Sequence, residues 1–189
     1  MEKAAKTYAL VLEALSLKHL PRKGWVLRHA PRESVAEHTY GVAFIALLLA
    51  KMEELSAKDE ALLLKLALLH DLHEARLGDL VPEEKKRVRP DEKGTERRML
   101  SGTHLQKEIL TLQMTPRKLV VLAKDADCLD LLFRAVENGG KGNRGMGEFI
   151  SSACSQIKSR SGKTLARMAM GRGNGKKLAD KWQREKNIS

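Results

Sequence analysis

The sequence predicts an all-α protein, and three observations carry that reading. Apolar residues recur at helical spacing along most of the 189 residues. No segment alternates apolar and polar with period two, and none carries a hairpin dipeptide. Two starts, at Ser34/Glu37 and Ser56/Asp59, place an acidic residue three positions after a serine just ahead of an apolar run. In the first of these the serine hydroxyl can accept from the third helical N–H while the glutamate reaches back to the serine N–H.

The elements follow in order. Residues 2–20 bring Ala4, Ala5, Tyr8, Val11, Leu12 and Leu15 to helical spacing. Residues 21–32 hold two prolines, a glycine and five basic side chains, and read as a loop. From the Ser34 cap a helix runs through the apolar stretch Val42–Ala50 to about Glu54. The next helix runs from the Ser56 cap to about Glu74, with Gly78 and Pro82 as stop signals. Residues 83–98 are densely charged and expected to be exposed, and Leu100–Leu112 forms a weaker helix. Pro116 suits a first helical position and opens a helix to about Glu137. "NGGKGNRGMG" is a loop, Ser151–Ile157 a short helical piece, and a break at Gly162 precedes a last helix through Met170. There are no internal repeats.

Composition narrows the function classes. The chain is 42% apolar, long enough for one domain with a real core. Its longest uninterrupted apolar stretch is too short to span a bilayer, and no secretory pattern opens the chain, so no membrane association is expected. Cys128 and Cys154 have neither metal spacing nor a disulfide framework, which favours a reducing cytoplasm. The formal net charge is +11, and residues 157–189 carry ten Lys/Arg against two acids. That stretch reads either as a solvated, solubilising tail or as a nucleic-acid contact; with Trp182 its only aromatic residue, the first reading is preferred.

The chemistry concentrates in "ALLHDLHEARLGDL", residues 67–80, where an apolar run stops at His70 and Asp71. His38 lies one turn inside the second long helix, and Asp127 lies in "LAKDADCLDLL" within an otherwise apolar helix. Imidazole nitrogens and carboxylate oxygens suit a first-row divalent metal, and pairing with an ion removes the cost of burying such groups. A single buried histidine would be a satisfied core residue; an adjacent His–Asp pair with candidates on two neighbouring helices points instead to one divalent ion. Its identity (Co²⁺, Mn²⁺, Zn²⁺ or Mg²⁺) stays open. His70 and Glu74 are four apart, so on one helix they would share a face, with Glu74 in reach of a metal-held water. The alternative for Glu74 and Asp79 is a solvated helix end. His73 reads as a surface residue, as do His19, His29 and His104.

The segments "ESVAEHTYGVAFIALLLA", "LLHDLHEARLGDL" and "KDADCLDLL" resemble the signature segments of HD-domain metal-dependent phosphohydrolases. The preceding "GW" makes the chain more similar to the subgroup of 5′-deoxynucleotidases and HD-domain-containing protein 2. The resemblance covers roughly residues 8–137. It implies an HD-domain helical bundle, assigned to residues 1–170, while the charge of the last residues marks 171–189 as a basic C-terminal tail. It also implies a metal held by His38, His70, Asp71 and Asp127, with Glu74 handling the proton of the attacking water. Asp79 would contact the sugar or help position the leaving group. Trp25, with Arg22 or Lys23, would meet the base and phosphate of a nucleoside 5′-monophosphate, although Gly24 stands where the bacterial branch has arginine. Trp25 reads equally well as a lid over the bundle. A different nucleotide substrate, or a catalytically weak nucleic-acid-binding protein, are the alternative functions. The resemblance further implies a homodimer.

Overall fold

The computed structural model describes residues 1–140 and 145–171, and among these every regular element is helical. The order is α1 (Glu2–Ser16), α2 (Lys23–Leu27), α3 (Val35–Met52), α4 (Ala57–Leu69), α5 (Glu74–Leu77) and α6 (Pro82–Val88). Then come α7 (Glu92–Leu100), α8 (Glu108–Gln113), α9 (Arg117–Gly140), α10 (Met146–Gln156) and α11 (Arg160–Gly171). An isolated antiparallel bridge joins Pro21 and Ser34 across the segment that contains α2. The expected all-α class is thus what the described residues form.

The chain divides into two units. The first comprises Met1–Tyr40 and Leu68–Pro116. Its core gathers Leu10 of α1, Leu72, and Met99 and Leu100 of α7, with Ala14, Leu69, Ala75, Ile109 and Leu112 packed around them. Burying such side chains is the dominant favourable term in folding. Residues 83–98 are exposed or half-buried apart from Thr95, close to expectation, but they form most of α6 and α7. Pro82 does not end a helix here; it opens α6, at a position where its missing N–H is no loss. Asp91 then caps α7 by accepting from the Gly94 N–H at 2.9 Å, and α7 buries Thr95, Met99 and Leu100. The weak helix expected over Leu100–Leu112 is a turn followed by α8. The loop expected at 21–32 contains α2, whose Trp25 is buried.

The second unit comprises Gly41–Ala67 and the described residues from Arg117 on. Here α10 and α11 pack on α9. Val42, Ala46, Leu49 and Ala50 of α3 are all fully buried. By length and composition α3 could cross a membrane, and these buried positions also fit a core helix. Asp125 of α9 is 1% exposed and accepts the Lys158 N–H at 2.9 Å and the Ser159 N–H at 2.7 Å, which fixes the entry to α11. The break expected at Gly162 does not occur: Gly162 lies inside α11, and the helix starts at Arg160. The glycine-rich loop is shorter than expected, since α9 reaches Gly140 and α10 begins at Met146. Helix α11 ends at Gly171; the basic tail beyond it lies outside the described residues.

Candidate metal centre

Helix α3 starts as the sequence predicts. Glu37 Oε2 accepts the Ser34 N–H at 2.6 Å, and Ser34 Oγ accepts the Glu37 N–H at 3.1 Å. The reciprocal cap fixes the first turn. His38 follows one turn in, with 0% exposure. Helix α4 ends earlier than expected, at Leu69, and His70–His73 form a tight turn with the Leu72 N–H on the Leu69 carbonyl and the Glu74 N–H on the Asp71 carbonyl. The shared helix face assumed for His70 and Glu74 is therefore replaced by a turn, and Glu74 is the first residue of α5. Gly78 ends α5 at φ 76°, a conformation that favours glycine, and the chain turns to present Asp79.

Three ligand-type atoms converge. His38 Nε2 and His70 Nε2 lie 3.3 Å apart, His70 Nε2 lies 3.0 Å from Asp71 Oδ2, and His38 Nε2 lies 3.6 Å from the same oxygen. A four- or six-coordinate ion with bonds of about 2.0–2.2 Å has neighbouring ligands about 2.8–3.6 Å apart. The triad fits that shell, and the donor set of two imidazoles and a carboxylate suits a first-row divalent metal. Burial pushes the Asp71 carboxyl up. The hydrogen bond from His70 and the charges of His70, His38 and Arg22 outweigh it and hold the group at about 2, ionised as a ligand must be. Asp127 lies in the other unit on α9, half-buried, with its Oδ2 2.7 Å from Lys124 Nζ of the same helix.

Glu74 sits beside the triad, 4% exposed, with a carboxylate oxygen within 4.8 Å of one of Asp71. Burial, then the charges of Asp71 and Asp79, push its carboxyl up to about 8 against the pull of Arg22 and Lys85. A carboxyl poised near neutrality can both take and return a proton. Asp79 Oδ2 accepts the Lys23 N–H at 2.5 Å, which ties the start of α2 to the turn after α5. Of the two basic residues expected to meet phosphate, Arg22 is brought to the centre, with Nη1 3.5 Å from Asp71 Oδ2. Lys23 Nζ is instead paired with Glu84. Trp25 is 1% exposed and donates its indole N–H to Glu33 Oε2 at 2.6 Å; a base could touch it only after it became uncovered.

The surface placement read for His73 is also overturned. His73 is buried, not on the surface, because the turn after Leu69 carries it inward. His19, His29 and His104 are exposed as expected. Sequence reasoning also missed Glu33, Lys85 and Glu92, which stand in charged runs like any solvated residue; only tertiary packing brings Lys85 Nζ to 2.8 Å from Glu92 and Glu33 to the indole.

An all-α domain that gathers histidine and aspartate ligands at a helix end is a metal-centre scaffold. The match to a family model makes this specific: residues 14–169 match the HD domain, and the chain belongs to that family. It is 40% identical over 102 residues to the 5′-deoxynucleotidase HDDC2 of Bos taurus, covering 51% of this chain and 48% of that protein. The Danio rerio 5′-deoxynucleotidase HDDC2 is 33% identical over 133 residues, covering 64% of each. The chain spans about half the length of the bovine relative and just under two thirds of the zebrafish one. Among solved structures, a conserved hypothetical protein from Pyrococcus furiosus superposes with a TM-score of 0.64 at 33% identity, covering 77% of this chain and 90% of that one.

Proposed function

We propose that this chain is a metal-dependent phosphohydrolase that releases phosphate from (deoxy)ribonucleoside 5′-monophosphates. The observation that carries the reading is the His38, His70 and Asp71 triad at coordination spacing with the buried Glu74, its carboxyl pushed up to about 8, beside it. The likeness to proteins named 5′-deoxynucleotidase supports the substrate class. Asp127 is proposed as the fourth ligand on the strength of its sequence motif. A divalent ion bound there supplies Lewis acidity and lowers the pKa of a water toward neutrality. Glu74, once its own carboxyl is ionised, would take a proton from that water and return it to the departing 5′-oxygen. Arg22, held near Asp71, offsets charge on the phosphoryl oxygens, and Asp79 orients the sugar side while anchoring the Lys23 N–H.

The same reading includes a homodimer. Tyr8, Val11, Leu12 and Leu15 expose an apolar stripe along α1, the kind of surface that a second copy covers. A reducing cytoplasm suits the two free cysteines. The test is phosphate release from a panel of nucleoside mono-, tri- and cyclic phosphates, with metal-stripped and reconstituted protein. Turnover confined to monophosphates is expected; turnover of a triphosphate or cyclic nucleotide alone would move the chain to another HD hydrolase activity.

A further inference from the structure

We propose that Asp71, His73 and Glu74 form a second divalent-cation position adjoining the first, with Asp71 common to both. The proposal rests on the reading of His38, His70 and Asp71 as the first position. Each of the three residues offers one ligand atom, and these atoms lie within 4.8 Å of one another. His73 and Glu74 are 7% and 4% exposed. His73 Nε2 and Glu74 Oε2 are both buried without a hydrogen-bond partner. Buried polar atoms of this kind cost free energy unless something binds them, so these two require an explanation.

The neighbours do not supply it. The Glu92 carboxylate stands 3.8 Å from His73 Nε2, beyond hydrogen-bond reach, and Lys85 Nζ is engaged by Glu92 at 2.8 Å. Arg22 Nη1 faces Asp71. One imidazole and two carboxylates match a first-row divalent ion. A carboxylate has two oxygens, so Asp71 can serve both positions, as in paired sites about 3.5–4 Å apart. The second position has three protein ligands, one of them shared with the first, so its ion binds more weakly. An ion on Glu74 lowers the basicity of its carboxylate, so filling the second position weakens the proton acceptor, and excess metal inhibits.

The experiment titrates the metal-stripped full chain with Mn²⁺, counting bound ions by equilibrium dialysis and recording electron paramagnetic resonance spectra. Two ions per chain are expected, the second weaker and spin-coupled to the first. His73→Ala and His73→Gln each lose one ion per chain and lose the inhibition of phosphate release at high Mn²⁺. One ion per parent chain would overturn the second position and leave the first standing. No bound ion would overturn both. Two ions retained undiminished in both His73 variants would overturn the assignment to these residues.

Discussion

Glu74 is where the chemistry can be separated from the binding. Glu74→Ala is expected to keep the metal and lose turnover by ~10²–10⁴-fold, the range of a general acid–base contribution, with little change in substrate affinity. Asp71→Ala is expected to lose the metal and with it all activity, read by the bound-ion count. The two carboxyls also bend the pH dependence of stability in opposite senses. Glu74 is raised to about 8, so the unfolded chain gives up its proton first. In metal-free protein, stability should fall as pH rises from the ordinary carboxylate range through about 8, and Glu74→Gln should flatten that slope in denaturant titrations. Asp71 is lowered to about 2, so its contribution is present above the ordinary carboxylate range and is lost as pH falls toward 2.

Among the elements, the turn at His70–His73 decides the site, and Asp125 decides the end of the described chain. Gly162 packs so closely that an added Cβ would lie 2.8 Å from Asp125 Oδ2 and 2.9 Å from both Ile157 Cγ2 and Ser159 Oγ. Gly162→Ala should therefore destabilise by about 1–3 kcal/mol, the usual cost of overpacking, measured as a shifted denaturation midpoint. These contacts also mark what the sequence can and cannot tell. Helices α1, α3 and α9 were legible because their periodic apolar residues and caps are local signals. So was the convergence on His38, His70 and Asp71, because adjacent ionisable residues at the end of an apolar run need a shared partner. The turn after Leu69 was not legible: the pattern through Glu74 continues a helix, and the break follows from burying Leu72 and His73. Asp125 looked no different from Asp127 two positions on, since its role is to receive N–H groups from residues 33 and 34 positions away. Likewise α6 and α7 hide behind charge, because Thr95, Met99 and Leu100 are few among many solvated neighbours.

At the scale of the whole molecule, the apolar stripe on α1 bears on assembly. Light scattering should give a dimer, and Leu12→Glu should shift it toward monomer by placing a charge in the contact. The central claim, that the His–Asp centre with Glu74 performs metal-dependent hydrolysis of a nucleoside 5′-monophosphate, is tested most directly by one assay. Phosphate release from a deoxynucleoside 5′-monophosphate is followed for the parent, Glu74→Ala and Asp71→Ala chains, each stripped with chelator and then titrated with Mn²⁺ or Co²⁺. The expected result is activity in the parent that chelation abolishes and metal restores, a large loss in Glu74→Ala with metal still bound, and no restoration in Asp71→Ala. Chelator-resistant turnover, or a Glu74→Ala chain within about threefold of the parent, well below any acid–base contribution, would contradict it.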